Sequence, residues 1–435
     1  MNKKYDLIII GGGPAGYEAA FEAVKNNLSV AIIEKNKIGG TCLNYGCVPT
    51  KSILRNVFNG KNIIDSINQE KELVVTSLRE GLESRIIKSG IDLLHGECQI
   101  ISKNLLMINQ ELLAFDYLII ATGSKPIIPS IKGIENIGVF TSKEILKNFD
   151  KEVRSITIIG GGVIGMEFAT IYNFLGIRVN IIEAKNKLLP DFDKEIGQNI
   201  KMIMKKRGVN IHTSSTVNEI SRFDNELECA FSIKEKTSTI KSEAILISVG
   251  RRANLDLLNK SEIKVDVENG HIKVNKKQET NFSNIYAVGD VANEIKLAHV
   301  ASATGRNAIM DILNKTCKVD MNVIPSCVYT NPEIASVGIS EAYAKEKGID
   351  VNISKYPMSA NGKSVLEGMD RGFIKILSSR ENGKVLGGQI MCGKATEMIS
   401  EISLAIRLGA TIKDLSETIH PHPTYSEGIY ELAKK

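Results

Sequence analysis

The sequence predicts an α/β chain with two Rossmann-like units followed by an α+β C-terminal unit. Three observations carry that expectation. An apolar strand enters Gly11-x-Gly13-x-x-Gly16, a helix follows, and a second apolar strand ends on Glu34. The same pattern returns with Gly160, Gly162, Gly165 and Glu183, each 149 positions after its counterpart. From about residue 321, "RGFIKIL" and "GKVLGGQIMC" read as strands, and "ATEMISEISLAIRLGA" reads as a helix with one apolar face.

Composition sets the outer bounds. A chain of 435 residues is too long for one ordinary core, so roughly two to four domains are expected. Hydrophobic residues make up 43% and charged residues 24%, which describes a globular chain. Runs such as "AILISVG" fall far short of the roughly 20 residues that span a bilayer, so no membrane partner is expected. The N-terminal "MNKKYDLIII" moves directly into a strand and leaves no room for a targeting segment. A cytoplasmic enzyme is the expectation. The net charge is +5, with no Lys/Arg tract and no Trp, so nucleic acid is not an expected partner either. Seven cysteines is an odd number spread over a long chain, which argues against a secreted disulfide framework. Cys98, Cys229, Cys317, Cys327 and Cys392 read as buried or incidental thiols.

Each glycine of the first turn has a task. The first makes a tight turn, the second lets backbone approach a pyrophosphate, and the third brings helix and strand together. The helix N-terminus offers unpaired N–H groups and positive dipole potential to phosphates. Glu34 lies 18 residues beyond Gly16, where a carboxylate can bond ribose hydroxyls. Two such units suggest two dinucleotides: one unit for FAD and the other for a nicotinamide nucleotide, since electron transfer needs a flavin and a hydride partner. Glu183 favours NAD, because an acid there accepts from a free 2′-hydroxyl and repels a 2′-phosphate. Lys185 and Lys187 follow closely and soften that discrimination.

Residues 39–52 read "GGTCLNYGCVPTKS". The pair Cys42 and Cys47 lacks the further ligands a zinc site needs, and it is not the Cys-x-x-Cys of thioredoxin-like proteins; no metal is expected. With a flavin and a nicotinamide nearby, the pair suggests dithiol exchange: a substrate dithiol reduces a protein disulfide, which reduces the flavin, which reduces NAD⁺. "CVPTKSILRN" looks like a helix start, with Pro49 suited to the first turn, and a helix start lowers a thiol pKa. Gly39, Gly40 and Gly46 let the loop bend. Two structural thiols in a glycine-rich loop are the alternative.

Further stretches carry a resemblance: "ATGSKPIIP" at 121–129, "VGRRANL" at 249–255, "YAVGDV" at 286–291, "LAHVASATG" at 297–305, "IPSCVYTNPEIASVG" at 324–338 and "HPHPTYSE" at 420–427. With the fingerprints and the cysteine pair, the chain resembles over nearly its whole length the class I pyridine nucleotide-disulfide oxidoreductases. Within them it is most similar to the dihydrolipoamide dehydrogenase branch. The resemblance implies that Cys42 is the interchange thiol and that Cys47 lies against the flavin as the charge-transfer thiolate. Lys51 would sit near the flavin and pair with Glu167, and Asp290 would bond the ribityl chain of FAD. The implied FAD contacts also include Pro14, Ala15, Lys35, Gly40, Thr41, Ala121, Thr122, Gly123 and Ser124. Gly289, Leu297, Ala298 and His299 extend this set, and Ile164, Gly250 and Arg251 join the glycines of the second turn as further cofactor contacts.

The resemblance also implies a C-terminal dimerisation domain, a homodimer, and a site completed by His422 of the partner subunit. Histidine suits proton removal from an incoming thiol because its pKa lies near neutrality. Glu427, five residues on, could orient the imidazole. His420 is the competitor, and a cis His–Pro bond is plausible here. The expected division is a FAD-binding domain at 1–145, an NAD-binding domain at 146–265, a central segment completing the FAD site at 266–320 and an interface domain at 321–435. Implied partners are lipoyl-bearing proteins and the acyltransferase core of 2-oxoacid dehydrogenase or glycine-cleavage complexes. A reductase of another disulfide such as glutathione, using NAD(P)H, and a non-catalytic scaffold are the alternatives. The segment between Ser52 and Asp116 is expected to be shorter than in relatives. "ELAKK" at the C-terminus carries no added cysteine pair of the mercuric-reductase kind.

Overall fold

The strand Lys3–Ile10 and the strand Val30–Glu34 pair in parallel, from Leu7 with Val30 to Ile10 with Ile33. Their near-continuous apolar runs suit strands covered on both faces. The computed structural model that shows this describes residues 3–147, 149, 153–234, 236–316 and 319–434. Cys317, read above as an incidental thiol, lies outside the described residues. Between the two strands the helix Pro14–Val24 buries Ala15, Gly16, Ala19, Ala20 and Ala23. These small side chains let it lie close to the sheet. The sheet order continues from Lys3–Ile10 to Glu111–Ile120, Leu105–Ile108 and Cys98–Ser102, while Asp92–His95 flanks Val30–Glu34. Ile285–Ala287 adds in parallel to Glu111–Ile120, so the late segment returns to the first fingerprint. The helix Ala298–Ile312 packs against Pro14–Val24. The contact is so close that a Cβ on Gly305 would stand 2.3 Å from the Ala15 carbonyl oxygen.

These elements form one compact unit: Met1–Ile127, Ser142–Lys151 and Gly250–Val319. The other unit comprises Ile128–Thr141, Glu152–Val249 and Asp320–Lys435. In it, the second fingerprint builds a parallel sheet in the order Asn210–Thr213, Arg178–Glu183, Ser155–Ile159, Ala244–Ile247 and Val139–Thr141. An antiparallel three-stranded sheet over 215–242 covers one end, with Cys229 and Phe231 in its buried face. The C-terminal part has an antiparallel sheet in the order Ser326–Val328, Glu333–Gly338, Val385–Cys392, Phe373–Ser379 and Val351–Pro357. The helix Ala395–Leu408 packs on it through Met398, Ile399, Ile402 and Ala405.

The division differs from the expected borders at 145/146 and 265/266. Val139–Thr141 hydrogen-bonds to Ala244–Ile247, which draws residues 128–141 into the second unit. Arg251–Ala253 pairs with Ser124–Pro126, which fixes 250–265 to the first. Strand pairing, not position along the chain, decides where each segment belongs. No helix among the described residues is long and apolar enough to cross a membrane.

Gly305→Ala should destabilise the chain by about 1–3 kcal/mol, because the new methyl meets backbone and not a yielding side chain. Gly81 lies in the helix Ile64–Lys88, and a Cβ there would meet nothing within 4 Å. Gly81→Ala should therefore be neutral or stabilising by up to about 1 kcal/mol. Denaturant unfolding of the two variants beside the wild type checks the pair.

Candidate redox site and nucleotide-binding turns

The two turns are built alike to a few tenths of an ångström. Gly11 has φ +110° and Gly160 has φ +108°, a region that L side chains rarely adopt. A Cβ on either would stand within 2.5 Å of a carbonyl oxygen, that of Ala121 or Ser248. A Cβ on Gly16 would lie 1.9 Å from Gly11 O, and one on Gly165 would lie 2.0 Å from Gly160 O. No side chain caps the helices that begin at Pro14 and Val163, and a Cβ on Gly162 would meet nothing within 4 Å. Backbone amides at two uncapped helix starts, with open space beside Gly162, fit the pyrophosphate of a dinucleotide.

The terminal acids carry a task the sequence reading missed. Glu34 Oε2 accepts from the Gly12 amide at 2.8 Å and Oε1 from the Asn36 amide at 2.7 Å. Glu183 repeats this with the Gly161 amide at 2.6 Å and the Lys185 amide at 2.6 Å. Each buried carboxylate thus ties the glycine turn to its strand and keeps lone pairs for another donor. The signal was present in the middle glycine of each "GGG". Lys187 gives its Nζ to the Phe192 carbonyl, which leaves Lys185 as the exposed cation beside Glu183.

Cys42 lies in the short helix Gly40–Tyr45, and Cys47 opens the helix Cys47–Phe58 as expected. Both sulfurs are thiols here, Cys42 partly buried and Cys47 exposed. The Cys42 thiol is pushed up, first by its hydrogen bond to Cys47, then by burial and the Cys47 charge; Lys51 works in the opposite direction. Cys42 therefore keeps its proton and shares it with Cys47. Asn44 fastens this loop by donating to the carbonyls of Ile38 and Gly40, and Gly40 abuts Gly13. Thr41 sits in the same short helix, and Lys35 pairs with Glu97 at the surface. Tyr17, not singled out from sequence, lies close enough to feel both cysteine charges, although burial is the main cause of its raised pKa.

Other expected contacts converge on the first unit. Ala121 closes over Gly11, and the segment Thr122, Gly123, Ser124 continues from that strand end. Ser124 Oγ donates to Asp290 Oδ2 at 2.5 Å, and Arg251 donates to Ser124. Gly250 precedes Arg251, and Gly289 packs on Ala15. Leu297, Ala298 and His299 stand at the start of the helix Ala298–Ile312. In the second unit Gly160, Gly162, Ile164 and Gly165 form the other turn. Glu167 is buried there and accepts from the Tyr329 amide. Lys51 and Glu167 belong to different units.

His422 and Glu427 also belong to the second unit. His422 Nδ1 meets Glu427 Oε1 at 2.7 Å, and the His422 side chain is 80% exposed. The Thr424 amide donates to the other oxygen of Glu427. His420, the competitor, is 5% exposed at its side chain and engaged on both ring nitrogens, by the Thr418 carbonyl and Glu401. The His422–Pro423 peptide is cis. Elsewhere, burial pushes Cys98, Cys229 and Cys392 up to about 12. That is the behaviour of packed thiols, whereas Cys327 is only partly buried.

A Rossmann-like pair of units with a thiol couple at one turn defines a nucleotide-linked disulfide oxidoreductase. Residues 5–305 match the family described as pyridine nucleotide-disulphide oxidoreductase, and 324–433 match its dimerisation domain. The chain belongs to this family, whose members bind FAD and NAD(P). It is 35% identical to a dihydrolipoyl dehydrogenase of Bacillus subtilis over 466 aligned positions, covering 100% of this chain and 98% of that one. It is 37% identical to the dihydrolipoyl dehydrogenase of Buchnera aphidicola, covering 98% and 94%. Among solved structures it is similar to RclA, the HOCl-induced flavoprotein disulfide reductase of Escherichia coli. That match has 29% identity, a TM-score of 0.91 and 99% coverage of both chains.

Glu427 yields a pH prediction. Its carboxyl is held below the ordinary 4.5, chiefly by the Thr424 amide, with His422 helping. A depressed folded-state pKa contributes stability that is present above 4.5 and is lost as pH falls through the lowered value. The Glu427 contribution to holding the Thr424 amide should thus be intact above 4.5 and lost as the pH falls further below it, seen as faster exchange of that amide. Glu427→Gln should abolish that step, as measured by amide hydrogen exchange after correction for intrinsic rates.

Proposed function

We propose that the chain is a dihydrolipoamide dehydrogenase: a substrate dithiol and NAD⁺ give the disulfide, NADH and a proton. The observation that supports it best is the exposed His422 oriented by Glu427, in a chain whose Cys42 thiol holds its proton. A dithiol substrate needs a base to become the attacking thiolate, and the exposed His422 would take that proton at Nε2. In the disulfide form of the pair, the substrate thiolate attacks Cys42 and releases Cys47. The second substrate thiol then displaces Cys42, and lipoamide leaves. Lys51 adds positive charge where thiolate forms.

The residues around Gly11, Glu34, Ser124 and Asp290 would hold FAD, and the turn at Gly160 with Glu183 would hold NAD. Bound FAD would carry two electrons from the thiol pair to the nicotinamide. In the polypeptide Cys47 is the more exposed of the two sulfurs. The assignment of Cys42 as the outer thiol therefore requires a group lying over Cys47, which is the place FAD has in this reading. His422 would act across a homodimer, with the match of 324–433 to the dimerisation domain as support. Lipoyl-bearing proteins and an acyltransferase core would be the partners. Similarity to RclA supports a second reading, reduction of another disulfide by a nicotinamide nucleotide with the same cysteines.

The deciding assay is NAD⁺ reduction by dihydrolipoamide, with NADP⁺ and glutathione run alongside. Fast NAD-linked turnover that disappears in Cys47→Ser is expected. Turnover only with NADPH and a different disulfide would overturn the substrate and the inference from Glu183.

Complementation tests the shared site. Cys47→Ser and His422→Ala homodimers should each be nearly inactive. Re-associated mixed dimers should recover about half the wild-type rate per heterodimer, because one of the two sites keeps all its groups. Mixtures that stay inactive although heterodimers form would show that each chain supplies its own base.

A further inference from the structure

Ser124, Arg251 and Asp290 come from distant parts of the sequence and form one hydrogen-bond chain. Arg251 Nε donates to Ser124 Oγ at 2.8 Å, and Arg251 Nη2 donates to the Ser124 carbonyl at 2.7 Å. The hydroxyl has one proton, which goes to Asp290 Oδ2 at 2.5 Å. The direction of the chain is therefore fixed, from cation through hydroxyl to carboxylate. Backbone pairing holds the participants in register, with Arg251 opposite Pro126 and Ala253 opposite Ser124. Asp290 follows Gly289, whose amide donates to Thr304 Oγ1 at 3.0 Å. Burial works against the Arg251 charge, and the carboxylate of Asp290 is the first group that restores it.

We infer that Ser124 and Arg251 are positioning residues that act on the cofactor through Asp290, by holding its carboxylate in one orientation. This rests on the reading that FAD binds here with Asp290 as a direct contact. Independent contacts would each add their own share of affinity. Links in series do not add, because cutting one link frees Asp290 and cutting a second frees it no further.

The test is the affinity of flavin-free protein for FAD, followed by quenching of flavin fluorescence. Ser124→Ala and Arg251→Met should each weaken binding about tenfold, the size of one charge-assisted hydrogen bond. The double variant should also lose about tenfold, and Ser124→Thr, which keeps a hydroxyl, should recover most of the affinity. A double loss near the product of the singles, about a hundredfold, would show that Arg251 acts on FAD by itself and would overturn the inference. So would wild-type affinity in Ser124→Ala. Circular dichroism of the flavin-free proteins checks folding. If Arg251→Met fails to fold, Arg251→Lys replaces it, since lysine keeps the charge but cannot span both Ser124 acceptors, and the same tenfold loss is expected. Wild-type protein that takes up no FAD would refute the cofactor reading itself, an outcome distinct from additive losses.

Discussion

A buried carboxylate accepting two backbone amides sits at the centre of each nucleotide-binding turn, and the geometry around it depends on that clamp. Glu34 and Glu183 are both more than nine-tenths buried, and leaving such a charge unpaired would cost far more than a surface ion pair returns. The amides of Gly12 and Gly161 answer that demand. In doing so they hold the glycine turn against the end of the neighbouring strand, which keeps the helix start aimed at the place where a pyrophosphate fits. In the proposed reading the same acid would also accept from a ribose hydroxyl, while here it braces the turn. One residue type serves both tasks because a carboxylate has about four acceptor positions, and the turn uses only two.

The thiol pair depends on a different balance. Cys47 stands at a helix start, where dipole and Lys51 favour negative charge. Cys42 is partly buried and gives its proton to Cys47 as a hydrogen bond. The Lys51 charge works against that hold on the proton. His422 has the opposite character, exposed and oriented from behind by a carboxylate. His420 shows what a structural histidine looks like two residues away, with both ring nitrogens occupied and its ring against Tyr430. The contrast in burial, not the residue type, separates a histidine open to solvent from one that fixes a loop.

Much of this was legible in the sequence because its signals are local. A glycine at positive φ, a helix start after a strand and an acid at the next strand's end all lie within 30 residues, and the pattern occurs twice. The cysteine pair was legible for the same reason. The domain borders were not: Val139–Thr141 is three residues long, too short to carry a pattern, and its place is set by pairing with a strand a hundred positions on. The chain from Arg251 through Ser124 to Asp290 joins residues 127 and 166 positions apart. Each could be named as a contact from its motif. Their order in series exists only once the fold brings them together.

The segment after the redox helix, expected from the sequence to be shorter than in relatives, bears on what keeps the cysteines in place. The alignment with the Bacillus subtilis relative runs over 466 positions, more than the 435 residues of this chain. The helix Ile64–Lys88 supplies a physical reason. Its Lys71 is buried and donates to the Leu146 carbonyl and Asn68 Oδ1, while Asn68 donates to the Phe149 carbonyl. Further along the same helix, Arg79 reaches Asn44, the residue that fastens the loop of Cys42. The long helix is thus pinned near its start to Leu146 and Phe149 and past its middle to the redox loop. Residues can be removed from the connections around it at little cost, because loop-closure entropy changes slowly with length. Removing a turn from the helix itself would shift Arg79 out of reach of Asn44.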